Sequence, residues 1–64
     1  MKRAKFIKYL NEQNCGFVKH GGHHDKYMNH INGKRTMIPR HPEIDDDLCT
    51  LICKQLDIPK FKSH

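Results

Sequence analysis

The pair Asn32-Gly33 constrains this chain more than any other feature. The tightest hairpin turn needs positive φ at both central residues, and Asn-Gly adopts it readily. The flanking runs have strand character, His24 to Ile31 before the turn and Lys34 to Ile38 after it. Pro39 cannot donate to a sheet ladder and closes the later strand. Pro39-Arg40-His41-Pro42 then makes a stiff connector. Upstream, Phe17-Val18-Lys19-His20 reads as a further short strand, which Gly21-Gly22 breaks. A lone hairpin is marginal in water, so other parts of the chain must cover one face of this sheet.

Two segments have the spacing to do so. From Lys2 to Asn14, Phe6, Ile7 and Leu10 form a narrow apolar stripe with Ala4 beside it, and Lys2, Lys5, Lys8 and Glu12 fall elsewhere. Asn14-Cys15-Gly16 stops this helix, with Gly16 suited to the left-handed residue that ends helices. Asp45 suits an N-cap, and Asp46 and Asp47 lie in the first turn, where negative charge favours a helix start. Leu48, Leu51, Ile52 and Leu56 then line one face and are assigned to the core, with Phe17 and Tyr27. Asp57-Ile58-Pro59 ends the second helix. The order helix, strand, strand, strand, helix predicts an α+β fold, a three-stranded antiparallel sheet with two helices on one face and the other face open.

No repeat or linker divides the sequence, so residues 1–64 are expected to form a single domain with a flexible tail over 58–64. With 36% apolar residues and no Trp, its core is thin, and such a chain packs a few elements well or leans on a partner. No apolar run reaches membrane-spanning length, and no signal-peptide core follows the basic start, which points to the cytoplasm. Three cysteines are too few for a disulfide framework, so Cys15, Cys49 and Cys53 read as free thiols. Cys49 and Cys53 share a helix face as small packing residues.

Charge is unevenly placed. Residues 1–41 carry a net +7 and residues 42–64 a net −2. The basic part suits a polyanion such as RNA, and the acidic part offers a second, distinct surface. Within the basic part lies Gly21-Gly22-His23-His24-Asp25-Lys26-Tyr27. Glycines leave the approach of a ligand unblocked, and an imidazole titrates near neutral pH. A poised imidazole in a positive field suits chemistry on a phosphodiester. Alternation along the strand puts His24, Lys26, Met28 and His30 on one face, with Asp25, Tyr27 and Asn29 on the other. His20, His23 and His24 lie close together with Cys15 near, but their spacing matches no zinc finger or ribbon, and no metal or other cofactor is expected.

Four stretches, in order, resemble the HicA family, the toxin half of HicA–HicB toxin–antitoxin pairs, over nearly the full length. They are Asn14-Cys15-Gly16-Phe17, then Gly21 to Tyr27, then Ile38-Pro39-Arg40-His41, then the acidic cap with Leu48 to Leu56. The resemblance implies a fold like the double-stranded-RNA-binding domain and a metal-independent endoribonuclease acting on mRNA. It also implies a HicB-like antitoxin that silences the enzyme in a hetero-oligomer, the toxin alone being a monomer. The family's catalytic histidine follows the glycine turn in a Gly-x-His pattern with an aromatic residue three positions on. Gly22-His23-His24 with Tyr27 fits, so the role falls on His24, with His23 as the rival register. Many relatives carry a second His where this chain has Asp25, which leaves a second proton carrier unassigned.

Around His24, the candidates for contact with RNA are Gly22, His23, Lys26, Lys19, Lys34, Arg35, Arg40 and His41. His41 is also the best alternative acid, and Arg40 reaches either phosphate or an acid of the last helix. His20 and His30 read as solvated strand positions. Tyr27, Phe17 and Phe61 are the aromatics able to stack on bases. A non-catalytic RNA-binding module on the same fold is the alternative reading, and charge alone serves both.

Overall fold

The computed structural model describes residues 1–61, arranged as α1 (Arg3–Glu12), β1 (Cys15–His20), β2 (His24–Asn29), β3 (Arg35–Pro39) and α2 (Asp46–Leu56). The strands form one antiparallel sheet in the order β1-β2-β3. The architecture is the α-β-β-β-α arrangement expected from the sequence. Phe6 and Leu10 from α1, Ile52 and Leu56 from α2, and Tyr27 and Ile38 from the sheet meet in one core with Ile44, Cys15, Cys49 and Cys53. Each large apolar side chain buried there is worth about 1.5–3 kcal/mol. Both helices lie on the same face of the sheet, which leaves the opposite face open.

Several local readings are corrected. The residue that turns the chain out of α1 is Asn14, with φ 65°, and not Gly16, which lies within β1. An Asn side chain tolerates the left-handed region better than most residues. At Gly16 a side chain would begin 2.8 Å from the His30 ring, so its small size serves close packing. β1 starts at Cys15, two residues earlier than composition suggested.

The hairpin between β2 and β3 is wider than a two-residue turn. The Asn29 amide donates to the Lys34 carbonyl at 2.8 Å, which encloses residues 30–33, and Gly33 supplies the positive φ at 78°. Asn29 explains the extra length. Its buried side chain accepts from the Ile31 amide at 2.9 Å and donates to the Leu56 carbonyl at 2.9 Å, tying the turn to the end of α2. A buried amide with both ends satisfied fixes a geometry that a local propensity cannot foresee.

On α2, Asp45 is the N-cap residue, with Asp46 and Asp47 in the first turn, and Asp57 closes the helix in the left-handed region at φ 58°. The buried face is Cys49, Ile52, Cys53 and Leu56; Leu51, expected in the core, is 48% exposed. Cys49 and Cys53 take the inward positions beside Ile52 and Leu56, while Leu48 is partly buried against the core. Phe17 is likewise 47% exposed: its ring lies 5.9 Å from that of the buried Tyr27, but β1 is an edge strand and leaves its outer side open.

Of the segment read as a flexible tail, residues 62–64 lie outside the described residues. Over 58–61, Ile58 and Phe61 pack against the core. The Phe61 ring lies 4.7 Å from that of Tyr9, whose hydroxyl donates to the Pro59 carbonyl. Among the described residues, no helix is long and apolar enough to cross a membrane.

Candidate active site

The site is built where β1 and β2 meet at the glycine turn. The Gly21 amide donates to the His24 carbonyl at 2.7 Å, closing the reversal around Gly22 and His23. A side chain at Gly21 would begin 2.8 Å from that carbonyl oxygen, so glycine is required for the closure. At Gly22 nothing lies within 4 Å of the same point, and the turn is open above.

Strand pairing sets which side chains share a face. Paired residues point the same way and neighbours along a strand point oppositely. Asp25, Tyr27, Asn29, Thr36 and Ile38 are buried on the helix side. His24, Lys26, Met28, Arg35 and Met37 therefore line the open face, and Lys19 joins them as the partner of Lys26. His24 is exposed at the first position of β2, with Lys26 two residues on and Lys19 beside it. This row brings together an imidazole and two ammonium groups: alternation along β2 puts Lys26 on the face of His24, and the register with β1 adds Lys19.

The remaining sequence candidates divide. His23 is exposed in the turn, and His41 is exposed on the connector next to Arg40. Arg35 shares the open face but pairs with Met28, four residues along β2 and so about 13 Å from His24. Lys34 is at that far end in the hairpin, its Nζ 3.9 Å from an Asp57 carboxylate oxygen. The turn of β2 into β3 thus separates Lys34 and Arg35 from the glycine turn.

Arg40 reaches no acid of the last helix. Its Nη1 donates to Asp25 Oδ1 at 2.8 Å, to the Gly21 carbonyl at 3.2 Å and to the His24 carbonyl at 3.4 Å, while Nη2 donates to the Gly22 carbonyl. One guanidinium thereby holds the three carbonyls of the turn and the carboxylate behind it. Its planar fork of donors makes this possible where a lysine would not suffice.

Asp25 is the hub behind the turn and is only 5% exposed. Its Oδ1 accepts from Arg40 and lies 2.7 Å from His20 Nδ1, and its Oδ2 accepts from Arg3 Nη2 at 2.9 Å. Arg3 also donates through Nε to the Pro39 carbonyl at 2.9 Å. A buried charge needs such partners. The hydrogen bond with His20 does most to hold the Asp25 carboxyl below its ordinary range, and Arg40 adds to it against the opposing effect of burial.

Sequence reasoning missed this cluster. His20 reads from the sequence as a solvated strand position, and nothing in the sequence singles out Arg3. One signal was available: a tight reversal at Gly21–His24 sets residues 20 and 25 opposite each other. The three thiols stand apart from the site, buried, with burial pushing Cys49 up to about 11. Among the described residues, no group of three or more His, Cys, Asp or Glu side chains is placed to hold a metal ion.

Comparison with known proteins gives one match. The model of the family described as HicA toxin of bacterial toxin-antitoxin matches residues 3–58. No curated protein and no solved structure gives a match.

Proposed function

As the chain belongs to the HicA family of toxins of bacterial toxin–antitoxin systems, we propose that it is a metal-independent endoribonuclease that cleaves mRNA with His24 as general base. The observation that carries this reading is the position of His24, exposed beside an unobstructed glycine turn on the basic open face. A neutral imidazole there takes the proton of a ribose 2′-hydroxyl, and that oxygen attacks the adjacent phosphorus. General base catalysis of this kind is worth about 10²–10⁴ in rate. Lys19 and Lys26 face the developing phosphorane charge, which charge-assisted hydrogen bonds stabilise. They are directly opposed like charges, a pairing that destabilises an empty sheet and that a bound phosphate relieves.

Gly22 and His23 border the substrate, Arg40 holds the turn in shape, and His41 lies at its rim. Arg35 and Lys34 meet flanking nucleotides farther along the face. The domain, residues 1–64, acts in the cytoplasm without a cofactor, as a monomer until a HicB-like antitoxin covers the open face in a hetero-oligomer.

The test is incubation of the purified protein and a His24→Ala form with a long RNA in the presence of EDTA. The parent cuts, and His24→Ala loses at least about 10²-fold in rate. Equal cutting by both removes His24 from the role and points to His23, His41 or a contaminating nuclease. If neither cuts but both retard RNA on a gel, the protein is a binding module.

A further inference from the structure

We propose that His20 is the second proton carrier of this site, giving its proton to the leaving 5′-oxygen, with Asp25 as the residue that positions it. The inference rests on the ribonuclease reading above and concerns a step that reading leaves without a donor.

The register of β1 is the first ground. Phe17 pairs with Tyr27, but Lys19 pairs with Lys26, so Val18 is an extra residue and the strand carries a bulge. Uninterrupted pairing would set His20 opposite His24 on the open face. The bulge sets it opposite Asp25 instead, and bulges of this kind re-aim side chains. The second ground is the hydrogen bond itself. With Nδ1 held 2.7 Å from Asp25 Oδ1, the ring turns Nε2 away from the carboxylate, and the side chain is 73% exposed. A buried carboxylate on one imidazole nitrogen with the other nitrogen free is the arrangement that orients a histidine for proton transfer.

The support behind the ring comes from three elements. Asp25 on β2 is fixed by Arg3 from α1 and by Arg40 from the connector, and the Phe17 ring packs against the imidazole at 4.7 Å. A residue needed only for solubility would require none of this.

Geometry across the turn is the third ground. His20 and His24 flank the same reversal, closed by the Gly21 amide on the His24 carbonyl, and they leave the sheet on opposite faces. An in-line displacement places the attacking and leaving oxygens on opposite sides of phosphorus. A phosphodiester lying over Gly22, where no side chain intrudes, is met by one imidazole from each side. His24 takes the 2′-hydroxyl proton as the 2′-oxygen bonds to phosphorus. The bond from phosphorus to the 5′-oxygen breaks with its electron pair on oxygen, and the His20 imidazolium supplies the proton there. The products are a 2′,3′-cyclic phosphate and a 5′-hydroxyl, and exchange with water restores both rings.

The test compares two oligoribonucleotides spanning the parent's main cleavage site, one with the ordinary 5′-oxygen and one with sulfur in that bridging position. A thiolate leaves without a proton. His20→Ala and His20→Gln are expected to lower kcat on the oxygen substrate by about 10²–10⁴-fold with KM little changed, and to lose most of that deficit on the sulfur substrate. His24→Ala stays deficient on both. An equal deficit on both substrates in a His20→Gln protein that melts like the parent overturns the proposal, as does undiminished cutting of the oxygen substrate. In that case the parent still cuts and the ribonuclease reading stands. If the parent cuts neither substrate, the two readings fall together.

Discussion

At the scale of single residues, Asp25 decides how the site is held. Its carboxyl is lowered in the folded protein, chiefly by the hydrogen bond with His20, whereas an unperturbed Asp titrates near 3.9. A lowered carboxyl contributes stability that is fully present above the unfolded value and is lost as pH falls through the folded one. Asp25→Asn should therefore melt below the parent at pH 7, and the gap should begin to narrow below about pH 4 and close only once pH falls through the lower folded value. A gap that stays constant across that range contradicts this role for the carboxylate. His24 is singled out by the family resemblance and not by the local motif, and the chain places it exposed at the first position of β2, just after the glycine turn. The partnership of His20 with Asp25 leaves no mark in composition; closing the reversal over Gly21–His24 points to it, and the bulge at Val18 carries that pairing into the rest of β1. Of the two contacts expected of Arg40, the acid is found on β2, fifteen residues back, and not on the last helix, a pairing that only the folded sheet brings about.

At the scale of elements, the order and kind of all five were readable from periodicity, turn residues and caps, and the misreadings share one cause. Wherever a tertiary contact competes with a local preference, the contact wins. Asn29 reaches across to Leu56 and widens the hairpin; Cys49 and Cys53 take the inner face of α2 and turn Leu51 outward. This gives a sharp contrast for denaturant melts. Ile52→Ala, at a fully buried position, should cost about 2–5 kcal/mol. Leu51→Ala should stay within about 0.5 kcal/mol of the parent, as surface changes do. Similar losses at both positions would mean that α2 packs through the face the leucine pattern suggested.

For the molecule as a whole, the sheet separates two tasks. One face is buried under both helices and supplies a thin core, and the other carries Lys19, Lys26, Arg35 and His24 toward a polyanion. The basic excess of residues 1–41 was visible in the sequence; that it gathers partly on one face required the strand register. Binding to single-stranded RNA should weaken with salt by about 0.7 logarithmic unit per phosphate contact. A Lys19→Gln, Lys26→Gln double variant should flatten that slope by roughly 1.4 and should melt no lower than the parent, since it removes an opposed like-charge pair. An unchanged slope would place RNA on another surface.

The central claim is that an imidazole activates the ribose 2′-hydroxyl, and the ends of the fragments report it most directly. Cleavage in EDTA should leave a 2′,3′-cyclic phosphate and a 5′-hydroxyl, and a single 2′-deoxy substitution at the cleaved nucleotide should abolish it. Fragments ending in a 5′-phosphate, or cutting that survives the 2′-deoxy substitution, would contradict the account.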